Sequence, residues 1–320
     1  MSRVSLHLLL FLVMASADAR AGAAQSALTA RQIVERIEKN VGVPWNSGGV
    51  DTFKAGDPDT PVTGVAVTMM ATFDVLQRAT ASGANFVITH EPVFYSHRDT
   101  TGALERENDP VFAAKRDFIR AHHLVVWRFH DNWHAHRPDG IQLGMEHKLG
   151  WTRYRSAAND TLGGGGSASE YLFRLPPTTV GALAAELAKK LEAHAVRIVG
   201  DPGMPVSGVA FAGGALGADT QRKLFRRADV DALVIGEAHE WETIAYAADA
   251  VSEGEKKALI VLGHTPSEQG GMEEAARWLR GFVTEVPVRF IAAEDPFGRA
   301  AGLREPRGSL RLPVKVSRPW

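Results

Sequence analysis

Short apolar runs alternate with helix-period segments along nearly the whole chain, and that alternation restricts it to α/β architectures. Thr29 precedes a helical segment running to Val41, with Gln32 in the capping-box position and Gly42 as its stop. Val62–Met69 is a predicted strand. Thr72 caps a helix that carries Val75, Leu76 and Ala79 on one face and stops at Gly83, and Asn85–Thr89 is the next β-rich run. Asp109-Pro110 supplies an N-cap and a Pro at the first helical position, for a helix reaching His123. Leu124–Phe129 follows as a strand. The pattern then recurs: Tyr171–Leu175 (strand), Thr179–His194 (helix), and strands at Val196–Val199, Val206–Phe211, Ala232–Ile235, Leu259–Leu262 and Val286–Ile291. Pro61-Val62-Thr63-Gly64-Val65-Ala66-Val67 resembles Pro205-Val206-Ser207-Gly208-Val209-Ala210-Phe211, and each precedes a helix and a second apolar strand. Two related α/β halves explain the repeat.

The first 24 residues have another pattern. Arg3 is followed by the apolar run Leu6–Ala15, shorter than the ~20 residues that span a bilayer. Small residues then recur in Ala-x-Ala order. This predicts a secretory signal peptide cleaved between Ala17 and Gln25, and so an exported protein, periplasmic or secreted, with no membrane association after cleavage. The other end, Gly298 to Trp320, is rich in Arg, Gly and Pro and predicts a disordered basic tail. Across the chain, Lys+Arg 36 against Asp+Glu 37 removes the electrostatic basis for nucleic-acid binding. The absence of cysteine removes disulfides, thiolate metal sites and cysteine nucleophiles.

Histidine carries the remaining signal, because eight of the 12 fall between His90 and His147. Three polar clusters sit where strands end: His90-Glu91, His130-Asp131-Asn132-Trp133-His134, and His264-Thr265-Pro266-Ser267-Glu268. In α/β sheets the carboxyl ends of strands are where ligands bind. Imidazole nitrogen and carboxylate oxygen are ligands for zinc, manganese and iron(II), and five or more exceed what one tetrahedral ion needs. They suit two metals ~3.5–4 Å apart. No Gly-x-Gly-x-x-Gly follows the first strand, which argues against a dinucleotide site.

These motifs resemble those of the Nif-three-like dinuclear metal-centre proteins, many of which are described as GTP cyclohydrolase type 2 homologues. The resemblance runs from about Ala30 to Phe297. Trp45-Asn46-Ser47-Gly48-Gly49 is similar to the family's Trp-Asp-Asn-x-Gly, and Ile88-Thr89-His90-Glu91-Pro92 to its His-His-Pro. His130–His134 is similar in position to a His-Thr-Asn-Leu-Asp segment, and Ile235-Gly236-Glu237 to Thr/Ser-Gly-Glu/Asp. Gly263-His264-Thr265-Pro266-Ser267-Glu268-Gln269-Gly270-Gly271 is similar to Gly-His-x-x-Thr/Ser-Glu-x-Gly-Gly. The resemblance implies metal ligands at His90, Glu91, His134, His264 and Glu268, with Glu268 as the bridge. Two positions depart from the family, which has His where Glu91 stands and Asp where His134 stands. The exchanges cancel in charge, leaving three imidazoles and two carboxylates. Asp131, in the same turn, is a candidate substitute for the lost aspartate.

The resemblance further implies mixed sheets flanked by helices, with a first half over residues 25–135, a second over 136–257, and a segment, 258–297, that returns to the metal site. It also implies a homo-oligomer, in this family a hexamer. Two divalent ions among these ligands leave excess positive charge, which acidifies water and attracts anionic or carbonyl groups. The expected function is a metal-dependent hydrolase using a metal-bridging water on a phosphoester, amide or cyclic amidine, with Glu237 or Glu91 as its catalytic base. The alternative is a non-catalytic, metal-handling oligomer.

Overall fold

The computed structural model describes residues 28–156 and 171–298. The signal segment, its cleavage region and the tail from Arg299 onward lie outside these residues. In chain order the elements are α1 (Ala30–Asn40), β1 (Phe53–Ala55), β2 (Val65–Thr68), α2 (Phe73–Ala81), β3 (Phe86–Thr89), α3 (Gly102–Arg106), α4 (Pro110–Ala121), β4 (Val125–Arg128), α5 (Asp131–Ala135), α6 (Gly140–Leu149), β5 (Leu172–Thr179), α7 (Val180–Leu191), β6 (Arg197–Val199), β7 (Pro205–Ala212), α8 (Ala218–Phe225), β8 (Ala232–Ile235), α9 (Ala245–Ser252), β9 (Ala258–Val261), α10 (His264–Leu279) and β10 (Val288–Phe290). No helix among the described residues is long and apolar enough to cross a membrane.

The strands form two five-stranded mixed sheets, ordered β1-β4-β3-β2-β10 and β5-β7-β8-β9-β6. Each is built on a parallel trio, β2-β3-β4 or β7-β8-β9. In each, the strand that precedes the trio pairs antiparallel with its third member, β1 with β4 and β6 with β9. This shared layout is the structural counterpart of the sequence repeat. The sheets differ at the other edge, where β10 joins β2 in parallel but β5 joins β7 antiparallel.

Alternate residues of each strand enter different layers, as a sheet covered on both faces requires. Val65, Val67, Phe86, Ile88 and Trp127 pack with α1 and α10, whereas Ala66, Val87 and Val126 pack with α2 and α4. In the second sheet Val209, Phe211, Val234 and Ile260 pack with α6 and α7. Leu233, Ile235 and Leu259 pack with α8 and α9. The helix starts follow the local chemistry. Thr29 forms the full capping box with Gln32, while Thr72 and Asp109 accept from Val75 N and Phe112 N. β1 was not expected from the sequence, since three half-buried residues carry no periodicity.

One helix contact bears on the site. Gly144 of α6 and Gly270 and Gly271 of α10 let the two backbones meet: a Cβ on Gly144 would fall 2.4 Å from Gly270 O, and one on Gly271 would fall 2.4 Å from Ile141 Cα. The Gly-Gly pair that follows Glu268 is therefore a packing device. It fixes α6 relative to α10, and α6 begins at Asp139, which holds a site histidine.

Candidate metal centre

The carboxyl ends of both sheets face one chamber of about 440 Å³, lined by Glu91, His130 and His134 from the first half, Gly213 from the second, and His264 and Glu268 from the segment that follows it. His90 and Glu91 directly follow β3, His130 lies just past β4, Glu237 lies just past β8, and His264 opens α10 after β9. Gly263 makes the last turn possible with φ at 96°, a left-handed value that L side chains resist. His264 and Glu268, four residues apart on α10, share one helical face.

His90 is fully buried, and its Nδ1 lies 3.0 Å from the Phe129 carbonyl, so that nitrogen carries the proton. Its Nε2 is then a bare lone pair, buried and without a hydrogen-bond partner. The ligand atoms of His90, His130 and His134 all lie within 4.8 Å of one another, and so do those of His90, Glu91 and Glu268. Glu268 Oε2 is 3.8 Å from His90 Nε2 and 3.1 Å from His264 Nε2, so one carboxylate oxygen addresses an imidazole of the first half and one of the returning segment. His264 Nε2 is also 3.3 Å from Glu91 Oε1. An orphaned imidazole nitrogen facing this donor set fits a divalent metal ion.

Each imidazole is held from behind. Nδ1 of His130 lies 2.7 Å from Asp131 Oδ1, that of His134 lies 2.9 Å from Asp139 Oδ2, and that of His264 lies 3.2 Å from Glu237 Oε1. Such partners fix ring orientation and leave Nε2 for the chamber. Asp131, the candidate substitute ligand, is thus turned to His130, with its other oxygen accepting from Val50 N. Glu237 likewise sits on the far side of His264, its side chain half exposed. Glu91 faces inward.

The protonation states follow from these contacts. Burial and the neighbouring His130 and His134 hold His90 well below its usual pKa. Burial and His134 lower His130 too, against Glu91 and Asp131. Burial also disfavours charge on His134, but Asp139 outweighs it and lifts the group to about 9. At His264, burial is overcome by hydrogen bonds to Glu237, Glu268 and Glu91, which raise it to about 12. Burial would raise Glu91, but His264, His130 and Arg128 bring it below its ordinary value.

Other titratable groups nearby are turned elsewhere. His136 Nδ1 contacts Pro138 O, and His147 pairs with Glu274. Asp99 is directed away from the chamber, accepting from Val93 N and Phe94 N and pairing with Lys54. Trp133 is buried, whereas Trp241 is 76% exposed and stacks on His239.

Four residues were missed as parts of this centre. His130 joins the imidazole cluster, and its spacing from His134, i to i+4, was a usable signal. Asp139 and Arg128 support ligands. Asp51 gathers the segment that carries them: Oδ1 accepts from His130 N and Asp131 N, and Oδ2 from Asn132 N and Nδ2. Asp51→Ala would orphan three backbone N–H groups at the start of α5. We expect it to cost about 2 kcal/mol or more, seen as a lower urea midpoint at unchanged m-value.

The sequence profile of the Duf34/NIF3 (NGG1p interacting factor 3) family matches residues 25–296. The chain belongs to that family. Its fold is similar to that of Staphylococcus aureus protein SA1388, with a TM-score of 0.65 at 17% identity, covering 85% of this chain and 99% of that one. A Bacillus cereus protein related to NIF3 gives a TM-score of 0.66 at 14% identity, over 86% of this chain and 100% of that one. Reduced HcgD from Methanocaldococcus jannaschii gives 0.54 at 14% identity, over 83% and 97%. No curated protein matches the sequence.

Proposed function

We propose that the protein is a dinuclear divalent-metal hydrolase, with its centre held between the two sheets by His90, Glu91, His134, His264 and Glu268 and joined by His130. The observation that carries this reading is the buried, unpartnered Nε2 of His90, which belongs to both ligand groups at once. One set, with His130 and His134, comes wholly from the first half. The other, with Glu91 and Glu268, joins the first half to the segment that returns after the second. Two overlapping sets sharing a residue suit two ions better than one. When bound, such a pair supplies Lewis-acid activation of a water and of a carbonyl or phosphoryl oxygen.

The protein's own groups do the rest. Asp131, Asp139 and Glu237 hold three imidazoles by Nδ1 and so aim Nε2 inward. Glu91 and Glu268 bring the negative charge that two divalent ions require. Glu237 alone among these carboxylates is half exposed at the chamber edge, which suits it to pass a proton between His264 and solvent. Zinc, manganese and iron(II) all accept such donors.

Elemental analysis of purified protein, paired with a turnover screen on phosphoesters, amides and cyclic amidines, tests the reading. Two metals per chain with metal-dependent turnover support it. Two metals without turnover favour the metal-handling oligomer, and no metal refutes both. Export and a homohexameric state belong to the same proposal. N-terminal sequencing of protein recovered outside the cytoplasm is expected to begin between residues 18 and 25, and an intact Met1 would reject the leader.

A further inference from the structure

A second cavity, of about 520 Å³, adjoins the chamber and shares Glu91, His97, Ala215 and His264 with it. Its size is that of a small-molecule site. Beyond the shared residues its walls are largely apolar, formed by Met70, Phe73, Pro92, Val93 and Tyr95, with the Glu237 carboxylate lining it beside His264. Phe73 and Tyr95 are substantially exposed, at 41% and 58%, although both are large rings beside a deep cleft. The Tyr95 backbone adopts φ of 63°, a left-handed value uncommon for an aromatic residue, and this conformation sets the ring at the cavity wall.

The cavity also contains a cation. Lys115, on α4, is buried and lines it. An ammonium has three donors, yet among the described residues this one makes a single hydrogen bond, 2.6 Å to the Val93 carbonyl, with the Tyr95 ring 5.1 Å away. Among the described residues no carboxylate pairs with it. Asp99, the acidic group felt most nearby, accepts from Val93 N and Phe94 N through Oδ1, and its Oδ2 lies 3.5 Å from Lys54 Nζ. Burial lowers Lys115 to about 8, with Asp99 opposing. A buried ammonium with spare donors in an apolar cavity is costly unless a ligand anion completes it.

We propose that this cavity binds the non-reacting part of the substrate, an aromatic or branched apolar body ending in one carboxylate that pairs with Lys115, with the group to be attacked at the Glu91–His264 end. The inference rests on the hydrolase reading for that last clause only. A monoanion is specified because one ammonium faces the ligand; a dianion would leave a charge uncompensated among apolar walls.

The probe is 3-phenylpropionate, titrated calorimetrically into the purified full chain, with the neutral 3-phenylpropionamide as its comparison. Saturable binding of the acid is expected, with the amide weaker by roughly tenfold or more. Lys115→Met should remove that preference while leaving amide binding and metal content unchanged. Phe73→Ala alters an exposed side chain, so folding is preserved, and it should weaken both ligands several-fold. The proposal is overturned if the wild type binds neither ligand, if Lys115→Met leaves the acid's affinity unchanged, or if chelation alone abolishes binding, which would place the carboxylate on the metals. Failure of the hydrolase reading is distinguishable. Protein that holds no metal but binds the acid through Lys115 keeps the cavity assignment and refutes the metal centre.

Discussion

Glu268→Gln is expected to strip metal from the protein while leaving its fold intact. Glu268 presents one carboxylate oxygen both to His90, from the first half, and to His264, from the returning segment. Glutamine keeps the size but removes the charge and offers an amide where a carboxylate is required. Its NH₂ group would also compete with the metals for the His90 lone pair. Loss of a charged, shared ligand should lower affinity by more than the ~10–100-fold typical of supporting groups. The core does not depend on it, because among the described residues Glu268 forms no hydrogen bond outside the histidine cluster. Elemental analysis after dialysis should find one metal or none per chain, with the melting temperature of metal-free protein little changed. His136→Ala is the control, since its imidazole contacts Pro138 O and the tryptophans away from the chamber. Two metals per chain at wild-type affinity in Glu268→Gln would reject the assignment.

Arg128→Met is expected to damage stability as well as metal binding. The guanidinium is fully buried at the end of β4. Nε donates to the His90 carbonyl at 2.9 Å, Nη1 donates to the His97 carbonyl, and Nη2 lies 3.4 Å from Glu91 Oε2. Methionine fills much of the volume but leaves the buried His90 carbonyl and the His97 carbonyl without their donors and Glu91 without its fixed cation. Breaking a buried pair of this kind costs about 3–5 kcal/mol, which for a chain of this size lowers the melting temperature by about 10 °C. Because Glu91 faces the chamber, metal content should fall too. Arg128→Lys separates the two effects. Its single ammonium cannot reach three acceptors, so it should recover part of the stability and less of the metal. A melting temperature within 2–3 °C of wild type in Arg128→Met would show that the carbonyls find other partners.

What could be read from the sequence was local. Thr29, Thr72 and Asp109 announced helix starts through side chains that bond three residues ahead, and the apolar runs announced strands buried on both faces. The ends of those strands located His90, Glu91, His264 and Glu268 before any contact between halves was known. The parts that stayed hidden depend on distant residues. Asp51 acts on backbone amides about eighty residues downstream, and nothing in its own neighbourhood distinguishes it from a loop aspartate. Asp139 appears only as an N-cap for α6, although its second oxygen holds His134. Arg128 left a trace, being the one charged residue within an otherwise apolar strand, a position with no solvent to receive it. Asp131 shows the opposite limit. Chemistry allowed it as a ligand, and only side-chain direction assigned it to His130.

The order in which the chain is synthesised gives the β10–β2 pairing a temporal meaning. β2 is made early, yet its outer neighbour is residues 288–290, close to the end of the described chain. Until those residues emerge from the ribosome, β2 presents an open edge able to accept foreign strands. The stretch that closes this edge directly follows α10, which carries His264 and Glu268. A nascent chain therefore lacks its last two proposed ligands for nearly as long as its first sheet remains unsealed.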